Sequence, residues 1–129
     1  MLENILIADD SATARMIIRR CFEIAGCVQA NFIEAKDGEE ALELAKKNEL
    51  SLMVTDINMP NMDGRVLLKN VKASPKLTEI PVIVISSASN DTLDKELVQQ
   101  GAFAVVKKPV SPASISGFVQ ELNGQNPWG

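Results

Sequence analysis

Apolar residues fall along this chain in two spacings. Short unbroken runs occur at Ile5-Leu6-Ile7-Ala8, Leu52-Met53-Val54-Thr55, Val82-Ile83-Val84-Ile85 and Ala102-Phe103-Ala104-Val105-Val106, with a weaker one at Asn31 to Ala35. Between them the apolar residues recur every three or four positions, as on one face of a helix. Ala14, Ile17, Ile18, Cys21, Phe22 and Ala25 mark the first such stripe, closed at Gly26. Asp37, with Glu40 three residues on, is a capping pattern for a helix from Gly38 to Lys47. Met59-Pro60-Asn61-Met62-Asp63-Gly64 reads as loop, after which Arg65 opens a helix using Val66, Leu67, Leu68 and Val71. Asn90 or Asp91 caps a helix through Leu93, Leu97 and Val98 to Gly101. Ser111 followed by Pro112 opens the last one, with Ile115, Phe118, Val119 and Leu122 along one face. Strand and helix patterns thus alternate, which predicts an α/β fold: a doubly wound parallel sheet of five strands with five helices. The run at Leu52 is apolar almost throughout, as expected of a central strand covered on both faces.

A chain of 129 residues has room for one core, so residues 1–123 are expected to form one domain and 124–129 a short flexible tail. Lys and Arg number 13 against 17 Asp and Glu, a net charge of −4. The short pairs Arg19-Arg20 and Lys46-Lys47 suit solvated helix faces, so nucleic acid is not an expected partner. No apolar run approaches the roughly 20 residues of a membrane span, and the first residues lack a secretory pattern, so a cytoplasmic protein is expected. Two cysteines without metal-ligand spacing, and no histidine, exclude zinc chemistry and histidine acid–base catalysis together.

The candidate chemistry sits where the strands end. Asp9-Asp10 follow the first run, Asp56 the third, Ser86 the fourth and Lys108-Pro109 the fifth. Singly, each has an ordinary explanation: a helix cap, a turn residue, a strand-end hydroxyl, a solvated lysine. Jointly they fall at the carboxyl ends of predicted parallel strands, the edge where open α/β sheets hold their ligands. Three carboxylates crowded there repel one another unless a cation compensates, and magnesium suits them as a hard ion that favours carboxylate and carbonyl oxygens and bridges to phosphate. A carboxylate so shielded can attack phosphorus and form an acyl phosphate. Asp56, alone on the central strand, is the best nucleophile, while Asp9-Asp10 form a pair suited to the metal. Lys108 would balance the phosphoryl charge, and the Ser86 hydroxyl would donate to one of its oxygens. Of the two adjacent lysines, Lys107 and Lys108, only one can point at the site.

Taken together, Asp9-Asp10, Asp56 with Asn58-Met59-Pro60-Asn61-Met62-Asp63-Gly64, Ser86, and Lys108-Pro109 resemble the receiver domain of two-component response regulators, especially stand-alone receivers of the chemotaxis type. The resemblance covers about Asn4 to Leu122. It implies the flavodoxin-like sheet order 2-1-3-4-5 for which that family is known. It also implies that Asp56 accepts a phosphoryl group from the phosphohistidine of a histidine kinase or phosphotransfer protein. Asp10, Asp56 and the Asn58 backbone carbonyl would then hold magnesium directly and Asp9 would act through water. Ser86 becomes the switch hydroxyl where Thr is commoner, and Lys108 the phosphoryl-binding lysine, joined to Pro109 by a cis bond. The downstream protein target is implied to dock on the surface of helix four, strand five and helix five. Val105 departs from the pattern, standing where many receivers carry Tyr or Phe.

Three other readings compete. A phosphatase of the haloacid dehalogenase type also uses an aspartyl phosphate and magnesium, but its Asp-x-Asp pattern follows strand one, which Asp9-Asp10 does not match. A flavodoxin-like redox carrier needs a phosphate-cradling loop after strand one, and the chain has no Tyr and only Trp128 to stack on a flavin. A receiver-like interaction module that is never phosphorylated would not need the full acidic set that is present here.

Overall fold

The computed structural model describes residues 2–87 and 90–124. The elements alternate strictly: β1 (Asn4–Ala8), α1 (Ala12–Ile24), β2 (Asn31–Ala35), α2 (Gly38–Lys47), β3 (Leu52–Asp56), α3 (Gly64–Ala73), β4 (Val82–Ser86), α4 (Asp91–Gln99), β5 (Ala104–Lys107) and α5 (Pro112–Leu122). All neighbouring strands run parallel, as the alternating pattern predicts, in the order β2-β1-β3-β4-β5 that the resemblance implied.

Side chains alternate across each strand, and the alternation divides the core into two layers. Ile5, Ile7, Leu52, Val54, Ile83 and Ile85 face α1 and α5, where Ile18, Phe22, Ile115 and Val119 close over them. Leu6, Ala8, Met53, Val82 and Val84 face α2, α3 and α4, meeting Ala41, Leu67, Leu68 and Leu97. β3 and β4 are buried along their whole length, which is why their sequences are nearly continuous apolar runs.

Several helix starts follow the predicted capping chemistry. The Asp37 carboxylate accepts from the Glu40 N–H, the Asn90 side chain from Thr92 and Leu93, and Ser111 from Ser114 in a reciprocal box with Pro112 just inside the helix. Two expectations need correction. The fifth strand begins at Ala104, not at Ala102, because the turn that closes α4 claims the residues before it. Gly101 takes the left-handed conformation (φ +110°), and the Ala102 N–H donates back to the Leu97 carbonyl at 3.0 Å. The apolar stripes are also wider than the faces they bury: Ile17, Val66 and Val98 are exposed, since two rows of side chains suffice to contact the sheet.

At the amino-terminal edge of the sheet the two ends of the fold meet. The Leu2 N–H donates to the Asn123 side-chain oxygen at 2.8 Å. No helix among the described residues is long and apolar enough to cross a membrane. The expected tail falls, from residue 125 on, outside the described residues.

Candidate functional site

Strand parity places the charges. Asp9 continues the Ile5, Ile7 side of β1, Asp56 the Leu52, Val54 side of β3, and Lys108 the Ala104, Val106 side of β5. Parallel register then brings three remote segments to one carboxyl edge. The Lys108 Nζ lies 3.2 Å from Asp9 Oδ2 and 3.3 Å from Asp56 Oδ1. Lys107 is exposed and, by strand alternation, belongs to the opposite side, so Lys108 is the lysine of the site, and the Lys108-Pro109 peptide is cis as the resemblance implied.

Asp9 and Asp56 are buried, Asp10 is exposed, and one carboxylate oxygen from each lies within 4.8 Å of the others. Desolvation by burial, reinforced by the neighbouring Asp9 carboxylate and only partly opposed by Lys108, pushes the Asp56 carboxyl above the usual aspartate range. Burial works against charge on Lys108 too, but Asp56 and Asp9 overcome it and raise the ammonium above its ordinary value. Besides the burial that leads the Asp56 shift, both groups register an excess of negative charge that a single lysine leaves uncompensated. A cluster of hard oxygen donors in that state fits a small divalent cation such as magnesium.

The remaining predicted residues stand on, or just past, β3, β4 and β5. Ser86 ends β4, is buried, and accepts the Lys108 N–H on its backbone carbonyl at 2.9 Å. It belongs to the α4 side of the sheet, opposite in parity to Asp56. Asn58 is exposed in the β3–α3 loop, two residues past Asp56. Val105 is half-buried against the layer beneath α4. An apolar groove of about 340 Å³, lined by Ala14, Ile17, Ile18, Ile85, Pro109 and Val110, opens beside Lys108.

Two supports were not read from the sequence. Arg15 on α1 donates from Nη1 to the Asp9 carbonyl at 2.7 Å and pairs through Nε with Glu34 of β2, also at 2.7 Å, fastening the acidic turn to the neighbouring strand. A basic residue one turn into the helix after an acidic pair was the available signal. The second is the Asp37–Asn61 bond of 2.8 Å between two loops, for which local sequence carries no signal.

Comparison with known proteins identifies the family and the fold. The sequence model of the response regulator receiver domain matches residues 5–120. Chemotaxis protein CheY-3 of Vibrio cholerae is 37% identical over 119 residues, spanning 92% of this chain and 90% of that protein. The CheY homolog of Campylobacter jejuni is 31% identical over 122 residues, 94% of this chain and 92% of its own. Among solved structures, CheY in the CheX-CheY-BeF3-Mg complex from Borrelia burgdorferi superposes with a TM-score of 0.83 at 31% identity, covering 94% of this chain and 89% of that one. With the family's sequence pattern over almost the whole chain, its strand order and its clustered carboxylates and lysine, this protein belongs to the response regulator receiver domains of two-component signalling, and resembles the stand-alone chemotaxis type.

Proposed function

We propose that the protein is a phosphoacceptor receiver that takes a phosphoryl group onto Asp56 with magnesium and signals through a change of its surface. The observation that carries this reading is the Lys108 ammonium shared between Asp9 and Asp56 at the carboxyl edge of the sheet. Asp10, Asp56 and the Asn58 backbone carbonyl would hold the ion, with Asp9 acting through water. Bound there, magnesium supplies charge neutralisation for the carboxylates and the phosphoryl oxygens.

The chain's own residues do the rest. An Asp56 carboxylate oxygen attacks the phosphorus of a phosphohistidine; the P–O bond forms, the P–N bond breaks, and the imidazole leaves with a proton from solvent. Lys108 then turns from the carboxylates toward the new phosphoryl oxygens, and the Ser86 hydroxyl donates to another of them. On this reading the protein performs chemistry only on itself, at Asp56, and is not a turnover enzyme. Its partners are a histidine kinase or phosphotransfer protein and a downstream protein received on the face of α4, β5 and α5, where Val98 is exposed. The compartment is the cytoplasm.

Intact mass spectrometry after incubation with a small phosphodonor and magnesium tests this. One added phosphoryl group is expected, lost on adding a chelator beforehand and absent in Asp56→Asn. An adduct that persists in that variant would overturn the assignment.

A further inference from the structure

Asp37 caps α2, and a cap requires only one of its oxygens. Oδ1 accepts from the Glu40 N–H at 2.8 Å; Oδ2 turns away from the helix and accepts from the Asn61 side-chain amide, also at 2.8 Å. The carboxylate is only 4% exposed, and these two bonds hold its pKa below the ordinary aspartate value. A second bond runs beside the first in the opposite sense, from the Gly38 N–H to the Met62 carbonyl at 3.0 Å. Asp37, the cap of α2, and Gly38, its first residue, therefore hold two consecutive residues of the β3–α3 loop. The approach is so close that a Cβ on Gly38 would run into the Met62 carbonyl oxygen. Asn61 adopts φ +66° at this grip, the one positive φ of a non-glycine among the described residues. It is a conformation that Asn tolerates better than most residues.

The held loop is the one that leaves Asp56. At its other end the Gly64 N–H donates to the Ile57 carbonyl at 2.8 Å, and the Asp63 side chain caps α3 through Arg65 and Val66. Asn58 thus lies on a short span fixed on one side at Ile57 and on the other at Asn61-Met62. Neither grip is made to a residue of the acidic cluster.

We infer that Asp37 and Asn61 are positioning residues for the divalent cation, bracing the β3–α3 loop so that the Asn58 carbonyl faces Asp9, Asp10 and Asp56. This rests on the magnesium site proposed above and assigns it a support 24 residues away in sequence from the loop it holds. Titration of the full chain with magnesium alone, followed by amide NMR shifts at residues 9, 10 and 56–59, gives the dissociation constant without any phosphoryl chemistry. Asn61→Gly keeps the positive φ accessible and removes the amide; at least fivefold weaker magnesium binding is expected. Asn61→Asp sets carboxylate against carboxylate, and binding should weaken although the added charge alone would tighten it. The exchange Asp37→Asn with Asn61→Asp restores a donor–acceptor pair, the helix cap and the wild-type charge, and should return affinity to within twofold of wild type. A role confined to capping α2 would lower the melting temperature and leave these constants unmoved. Constants within twofold of wild type in Asn61→Gly, or an exchange variant as weak as Asn61→Asp, would overturn the brace. A wild-type protein with no saturable magnesium response would instead overturn the magnesium site itself, and the brace with it.

Discussion

Asp56 lies buried beside Asp9, and both circumstances favour its protonated form. The folded protein therefore holds this proton more tightly than the unfolded chain, whose aspartates titrate near about 3.9. The associated stability is complete below that value and is lost as pH rises through the raised folded one. Asp56→Asn has no such loss, so without magnesium it should melt a few degrees above wild type at pH 7, with the difference closing toward about pH 4. Thermal unfolding in chelator across that range checks it. Asp37 acts with the opposite sign: its lowered pKa contributes stability at neutral pH that disappears as acid protonates it. Lys108 leads to a two-sided expectation. Lys108→Ala should slow phosphorylation at least tenfold while binding magnesium more tightly, because the ion no longer shares the carboxylates with an ammonium; Lys107→Ala should leave both nearly unchanged. Phosphodonor kinetics and magnesium titration give the two readouts, and the reverse pattern would mean that Lys107 serves the site. Asp9, Asp10, Asp56, Ser86 and Lys108 could all be located from sequence, because a strand end is visible as the point where an apolar run stops. Arg15 and Asn61 could not be placed in the same way, since their partners are set by how separate segments pack.

Among elements, β3 and α3 are joined with almost no slack. Gly64, the first residue of α3, passes so close beneath the Asp56 carbonyl that an added Cβ would strike that oxygen and come within 2.9 Å of the Ile57 Cα. Both obstacles are backbone, which cannot rotate aside. Gly64→Ala should destabilise by about 2 kcal/mol or more, the range for forced overpacking, and should also slow phosphorylation by displacing Asp56. The magnesium-free melting temperature and the phosphodonor assay measure the two effects. The sequence pattern was a good guide to elements: β2 and α2 have the bounds that it predicts, and most others differ by a residue or two at their ends. It failed where one element's ending consumes the next one's beginning, as at Gly101-Ala102, and where a stripe of apolar residues exceeds the face available to bury it, as at Ile17 and Val98. Periodicity reports which side of a helix is greasy, not how much of that side the sheet reaches.

For the molecule as a whole, the proposed switch would carry a local event at one edge of the sheet to a helix on one face. Ser86 belongs to the side covered by α4, and Val105 is packed in that same layer. Val105 is β-branched and stiff, so it cannot move an aromatic ring between buried and exposed positions. We expect a phosphoryl mimic with magnesium to shift the amide signals of Ser86, Ser87, Asn90 and Asp91 strongly and those of Val105 modestly. Ala88 and Ser89, which complete this expected switch segment, lie outside the described residues. Largest shifts at Val105 with Ser86 unmoved would overturn this route. The contact between Leu2 and Asn123 has a different bearing. It lies at the amino-terminal edge of five-residue strands, so roughly 17 Å of sheet stands between it and the acidic cluster. A fluorophore, an affinity handle or a second domain joined before Leu2 or after Asn123 leaves from one and the same corner, on the far side from the chemistry. The fold therefore offers a single point of attachment with two ways into it, and a cargo tethered there leaves the opposite rim open to a visiting kinase.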